Sequence, residues 1–412
     1  MAQLRRIFGT NSQLHLLVLL VVILVALFQV TAGGKMLTPS NAQNMLIYNA
    51  YVLILALGMV MVVVIGQIDL SVGSVAAFVS MSVALVMQSS GIPWWVGFLL
   101  GLVLGAAIGA WQGMWLAVVG IPGVIVTLAG MMIFRGAVLW ESRALSVPVP
   151  DQFRALGAGY LPEWGPEWTQ VNNSTLLLGI LLVAWVAAAE MRRYQRRKRL
   201  GRVEQELWIP LVRIALVVLF VGFLVWLFGR GRPTTSFPII GVIVVVLVVF
   251  YHILTQRTAF GRHVYAVGGN PVAASLSGVD LRKVQFLVMV NMGVLAALAG
   301  MLFAGRSTAA GPQDGTSWEL DAIAAVFIGG AAVGGGMGTI GSAVMGGVVM
   351  AVLNNGLLLM GLGSDKTQVI KGLVLLVAVS FDLYSRKRGR FSVIGAIGSG
   401  FSPGQNSLAK QF

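Results

Sequence analysis

A series of long apolar runs, divided by short polar breaks, constrains this chain more than any other feature. The runs are Leu14–Val30, Met45–Ile65, Val75–Met87, Trp94–Val119, Val124–Trp140, Leu176–Ala189, Leu207–Phe228, Ile239–Leu254, Phe286–Phe303, Ala322–Val333, Ile340–Met360 and Val369–Leu383. Crossing a bilayer as a helix takes roughly 17–25 residues. Lipid offers no hydrogen bonds to the backbone, so such segments fold as helices or close into barrels. The chain is 57% hydrophobic and 10% charged, with a mean hydropathy of +0.88; soluble domains carry roughly 25% charged residues. The expected fold is all-α: one polytopic transmembrane helical bundle over residues 1–412, with about 10–12 membrane segments and an even number favoured. The shorter runs are expected to be discontinuous or re-entrant. Arg5 and Arg6 ahead of Leu14–Val30 resemble the start of a signal peptide, but with so many spans following, this run is read as a first, uncleaved span.

The net charge is +14. The basic residues gather at the ends of apolar runs, which fits topology and anionic lipid headgroups rather than nucleic acid. They concentrate in four places: the N-terminus, the 190–206 loop (Arg192, Arg193, Arg196, Arg197, Lys198, Arg199, Arg202), the 255–285 loop, and the tail with Arg386, Lys387, Arg388 and Arg390. The positive-inside rule assigns all four to the cytoplasm, so both termini are expected there. The 141–175 loop then faces outward, with Glu141, Asp151, Glu163 and Glu167 and the interfacial Trp164 and Trp168. Arg230 and Arg232, on an expected outer loop, run against the rule.

Three polar or glycine-rich features stand out. In the 255–285 loop, Asn270 reads as a helix N-cap, Pro271 as the first helical residue and Gly278 as the stop. The framed helix is only about seven residues long, below the roughly 12–15 that an isolated helix needs. Val272 and Leu276 share a face, and Ala273, Ala274, Ser275 and Ser277 leave the rest small. It is either a capped turn packed on its own protein or an element that docks into a partner's groove. The second feature, Gly66-Gln-Ile-Asp69-Leu-Ser71-Val-Gly73-Ser74, interrupts two apolar runs and implies a discontinuous helix beside a transport path. Asp69 and Ser71 are placed to cap the next helix; substrate contact or a proton relay at Asp69 is the other reading. The third, Gly329–Gly347, is too rich in glycine for a continuous helix and is expected to break inside the bundle. Gly101, Gly105, Gly109 and Gly113 form a stripe suited to close internal helix packing. Asn291, Asn354, Asn355 and Gln112 suit either a path for a neutral solute or hydrogen bonds between helices.

Several chemistries are excluded. The chain has no cysteine, hence no disulfide, thiolate ligand or cysteine nucleophile. No metal-ligand spacing, catalytic triad or carboxylate pair is present. Gly336-Met-Gly338-Thr-Ile-Gly341 matches the dinucleotide fingerprint without the βαβ unit or the following acid. No phosphate-binding loop exists, so no cofactor is expected on this chain, and any ATP-Mg belongs to another subunit.

The segment Gly66-Gln-Ile-Asp-Leu-Ser-Val-Gly-Ser74 resembles the signature of the ribose- and xylose-type sugar permeases of ATP-binding cassette importers. Gly261-Arg-His-Val-Tyr-Ala-Val-Gly-Gly-Asn-Pro-Val-Ala-Ala-Ser-Leu-Ser-Gly278 is similar to that family's coupling region, and Gly329–Gly341 with Asn354-Asn355-Gly356 also looks familial. The resemblance covers most of 45–140 and 255–385. It implies a non-enzymatic transport subunit of the inner membrane, with a cytoplasmic ATPase, a periplasmic sugar-binding protein and a second permease chain as partners. Residues Gly268, Gly269, Asn270, Pro271, Ala273, Ala274, Ser277 and Gly278 would form the coupling element. Gly66, Asp69, Ser71, Gly73, Asn291, Asn354 and Asn355 would border the path or its helix breaks. The enlarged stretch from Arg192 to Leu254 is more like the xylose-type members, which points to D-xylose. The rival reading is an ion- or proton-coupled secondary transporter working through Asp69.

Overall fold

The computed structural model describes residues 12–165, 169, 171–199, 207–230, 235–332 and 334–387. Of the sequence expectations, those for Arg5, Arg6, Glu167, Trp168, Arg202, Arg232, Arg388 and Arg390 lie outside the described residues. The order is α1 (Ser12–Thr31), α2 (Pro39–Val64), α3 (Val72–Ser90), α4 (Trp94–Met114, extended by a π turn at Trp115–Val119), α5 (Gly123–Ser142), β1 (Val147–Pro148), α6 (Asp151–Ala158) and α7 (Asn173–Arg199). There follow α8 (Trp208–Gly229), α9 (Ile239–Arg257), α10 (Ala259–Gly269), α11 (Pro271–Leu276), α12 (Leu281–Ser307), β2 (Ala309–Ala310), α13 (Trp318–Ile328), α14 (Ile340–Leu359) and α15 (Ser364–Lys387). Among the described residues 10 helices are long and apolar enough to cross a membrane. α13, with 11 residues, is half the required length.

Two helices form the centre. α2 is apolar around its whole circumference and almost entirely buried, the pattern of a helix surrounded by other helices. α12 packs against α2, α3, α4 and α6. Its seam with α4 is the predicted glycine stripe. A Cβ at Gly105 would stand 2.5 Å from the Ala297 Cβ, and one at Gly109 would overlap the Met289 carbonyl. Gly293 answers from α12, where a Cβ would overlap the Gly105 carbonyl. The missing side chains let the two backbones touch. By contrast α7 and α8 form a peripheral hairpin, pinned by Arg213 Nη1 to Glu190 Oε1 at 2.6 Å and to α2 by Gln43 Nε2 on the Phe228 carbonyl at 2.8 Å.

The hydrogen bonds and packing sort the chain into two ends. At one end the Val64 carbonyl accepts from Gly336 N and Gln67 Oε1 accepts from Gly123 N, with α10 alongside. At the other, β1 pairs antiparallel with β2, Asn172 N donates to the Gly229 carbonyl and α6 lies on Gly305. From that second end α7 runs back, so its basic stretch Arg192–Arg199 shares the end that carries the 255–285 loop.

Four boundaries differ from the sequence expectation. α2 begins at Pro39, because Asn41 and Gln43, polar enough to read as loop, are buried and bonded within the protein. The glycine-rich break ends at Thr339. There Thr339 and Ser342 form a reciprocal cap, and Gly341, Gly346 and Gly347 lie in a regular helix. The expected run Ala322–Val333 is helical only as far as Ile328. Finally, the 255–285 loop contains a second helix, α10, capped by Thr258 through Gly261 N.

Candidate functional site

The short loop helix forms as its sequence dictates. Asn270 Oδ1 accepts from Ala273 N at 3.0 Å, Pro271 is the first helical residue, and Gly278 has φ +83, a left-handed conformation suited to glycine. Ser277 Oγ donates to the Ala273 carbonyl, and Asp280 Oδ1 caps the following α12 through Lys283 N at 3.0 Å. Val272 is 70% exposed and Leu276 86%. These two apolar side chains stand on a platform of exposed Ala273, Ser275 and Ser277. Ala274 departs from the expected coupling set: it is buried against its own protein, because the face opposite Val272 and Leu276 packs inward.

Gly268 also turns inward. A Cβ there would overlap the Val64 carbonyl oxygen and approach Gly336 N at 2.7 Å. That same carbonyl accepts from Gly336 N at 2.8 Å, and the Tyr265 hydroxyl donates to the Gly338 carbonyl at 2.7 Å. Gly268 is therefore a packing residue of α10, whereas Gly269 is exposed with open space at its Cβ. The result is one continuous body: α11, α10, the glycine-rich loop and, through Gly329, α13.

The break between α2 and α3 is closed by its own side chains. Gly66 has φ +78 and ends α2. Asp69 Oδ1 accepts from Ser71 N at 2.8 Å and from Ser71 Oγ at 2.7 Å, and Gln112 Nε2 donates to Ser71 Oγ at 2.7 Å. Ser71 occupies the N-cap position of α3 but makes no capping bond from its side chain. The expected cap is thus replaced by an Asx turn just ahead of the helix. Gly73, in the first turn of α3, lies backbone to backbone against Gly315.

The asparagines hold helices together. Asn354 Nδ2 donates to Asn49 Oδ1 and Asn355 Nδ2 to Asn41 Oδ1, each at 3.1 Å, joining α14 to α2. Tyr251 OH donates to Asn291 Oδ1 at 2.5 Å, joining α9 to α12. Asn291 Nδ2 and Asn354 Oδ1 are buried without a partner among the described residues.

What the sequence reading missed is a set of charges at the entry of α13. Arg135 Nη1, from the interior of α5, donates to the carbonyls of Asp314 at 2.7 Å and Pro312 at 3.3 Å. Asp321, on α13, is buried; both its oxygens accept from Lys371 Nζ of α15, at 2.8 and 3.0 Å, and Oδ2 accepts from Tyr51 OH at 2.6 Å. Tyr51 stacks on Trp318 with ring centroids 4.2 Å apart. The Arg306 guanidinium lies 4.0 Å above the Tyr48 ring. The signal was available: an ionisable residue within a span marks function or a partner, and Arg135 and Lys371 sit inside apolar runs just as Asp69 borders one.

These features describe a polytopic membrane protein with a broken helical interior and a short helix that presents an exposed apolar pair, Val272 and Leu276, at one end. The family model for the permease component of branched-chain amino acid transport systems matches residues 41–379, and the chain belongs to that family. It is a multi-pass membrane subunit with a transport role rather than an enzyme. The xylose transport system permease of Haemophilus influenzae is 33% identical over 385 residues, 92% of this chain and 98% of the relative. Its Escherichia coli K12 counterpart is 34% identical over 381 residues, 92% and 93% of the two chains. The ribose import permease of Bacillus subtilis is 41% identical over 156 residues, 38% of this chain and 48% of that protein. No solved structure matches the chain.

Proposed function

We propose that this chain is the permease subunit of an ATP-driven importer that carries a monosaccharide, D-xylose, across the cytoplasmic membrane by alternating access. The observation that carries the reading is the exposed Val272 and Leu276 pair on a capped six-residue helix. An apolar i, i+4 pair with no covering element among the described residues is suited to a hydrophobic groove, and a cytoplasmic ATPase supplies one. The shared end of the basic 192–199 stretch and the 255–285 loop supports a cytoplasmic position for both, with both termini on the same side. A second copy of the chain and a periplasmic sugar-binding protein complete the assembly. D-Xylose is favoured because the xylose permeases align over almost the whole chain, the α7–α8 hairpin included, and the ribose permease over little more than a third.

Mechanically, a push on α11 passes through Gly268 and Tyr265 to the Val64 carbonyl and the glycine-rich loop, and from there along α13 to the centre of the bundle. A rigid body pivoting between two packings is the physical content of alternating access. The secondary-transporter reading needs Asp69 free for an ion, and Ser71 already donates twice to one of its oxygens. The test is uptake of D-xylose into vesicles holding this chain with its ATPase and loaded binding protein. Uptake that requires ATP supports the reading; uptake by the chain alone under an ion gradient overturns it.

A further inference from the structure

The segment between β2 and α13 descends into the bundle. It starts at Ala310, packed with Met81 and Ala84 in the middle of α3. By Gly315 it has reached Gly73 in the first turn of α3. Trp318, where α13 begins, stacks on Tyr51 at the midpoint of the 26-residue α2. Arg135 holds the Asp314 and Pro312 carbonyls from the interior of α5. Residues 311–317 therefore lie at membrane depth as a run of turns rather than a regular helix. Yet Gln313 and Thr316 are exposed, Glu319 is half-buried, and Leu320 is 50% exposed. Irregular backbone at this depth is tolerated only inside protein or along a water-filled cavity, and an exposed amide and hydroxyl beside a half-buried carboxylate cannot face hydrocarbon.

We infer that Gln313, Thr316 and Glu319 line the aqueous path and receive the passing sugar by hydrogen bonds to its hydroxyl groups, with Arg135 as the residue that positions their loop. This rests on the reading of the chain as a sugar permease and locates where that sugar is touched. The chemistry fits a neutral polyol. Each sugar hydroxyl both donates and accepts; the Glu319 carboxylate accepts, the Gln313 amide does both, and the Thr316 hydroxyl, which donates to the Gln313 carbonyl at 2.7 Å, accepts. Arg135 acts on the loop's carbonyls at Pro312 and Asp314, so it fixes the loop's shape. Three groups give weak, passing contact, as release requires.

The absence of native cysteine makes the test direct. Single Gln313→Cys and Thr316→Cys variants of the full importer are treated with a charged, membrane-impermeant methanethiosulfonate, with Leu219→Cys on the outer face of α8, 71% exposed, as the lipid-facing control. Both path variants are expected to react at least about tenfold faster than the control, since a charged reagent is excluded from hydrocarbon. D-Xylose-loaded binding protein with ATP should slow that reaction. In parallel, Thr316→Val and Glu319→Gln are assayed for sugar delivered per ATP hydrolysed. Losing a hydrogen bond to a charged group at the sugar predicts about a tenfold fall for Glu319→Gln while ATP hydrolysis continues. Cysteines at 313 and 316 as unreactive as Leu219→Cys would overturn the inference, placing this surface in a protein seam. Reactive cysteines with unchanged transport in both substituted variants would overturn the sugar contact. If the wild-type importer moves another monosaccharide and not D-xylose, the substrate assignment fails while the labelling result still decides the path.

Discussion

The Asp321–Lys371 pair makes a quantitative prediction. Both carboxylate oxygens of Asp321 lie within 3.0 Å of Lys371 Nζ, and the Asp321 side chain is 3% exposed. Lys371→Met removes the cation of this pair and leaves the carboxylate with Tyr51 OH as its remaining side-chain donor among the described residues. Breaking a buried pair from one side costs about 3–5 kcal/mol, because the abandoned charge stays desolvated. Adding Asp321→Asn removes that charge and keeps an oxygen for the Tyr51 hydroxyl. The double variant should therefore return to within about 1 kcal/mol of the native protein, as buried pairs replaced together are often neutral. The coupling between the two sites is then at least about 2 kcal/mol, within the range for residues in direct contact. Thermal melting of the purified chain in detergent, followed by size-exclusion chromatography, gives the ordering: wild type and double variant together, Lys371→Met several degrees lower. A Lys371→Met protein that melts with wild type, or a double variant that melts as low as the single one, would refute the reasoning.

Other outcomes follow from the same contacts. Gly105→Leu should abolish the folded protein, because even a Cβ lies 2.5 Å from Ala297; recovery of a monodisperse peak in detergent at the wild-type yield would contradict the seam. Asp69→Asn should retain uptake, since an amide oxygen still accepts from Ser71 N and Oγ; abolished uptake would restore the ion-coupled reading. Tyr265→Phe deletes the bond to the Gly338 carbonyl and should lower transport per ATP without changing insertion; unaltered coupling would remove this bond from the relay.

The class and the rhythm of spans were legible because lipid enforces them: a run of apolar residues of bilayer length has few other folds. The loop helix was equally legible, since Asn270, Pro271 and Gly278 each answer a local backbone requirement. The same local reasoning failed where a partner lies far along the chain. Asn41 and Gln43 look like loop until Asn355 and Phe228 are beside them, and Ala274 and Ser275 are indistinguishable until the bundle supplies an inside. The charged station at α13 was legible only in part for this reason: Arg135 and Lys371 stand inside apolar runs, but their partners do not show in the sequence. Arg135, Asp314, Asp321 and Lys371 are scattered over more than two hundred residues, and only the descending loop brings them together. Asp69 drew attention by its motif, and its partner proved to be two residues away.

The most direct test of the account puts a cysteine where the force is received. Leu276→Cys, in this otherwise cysteine-free chain, should form a cross-link to the ATPase subunit in membranes, with a yield that changes when ATP is added. In intact cells it should stay unlabelled by an impermeant maleimide. A Leu276→Cys that is labelled from outside, or that cross-links to no ATPase, would contradict the claim that this helix takes its motion from a separate nucleotide-hydrolysing partner.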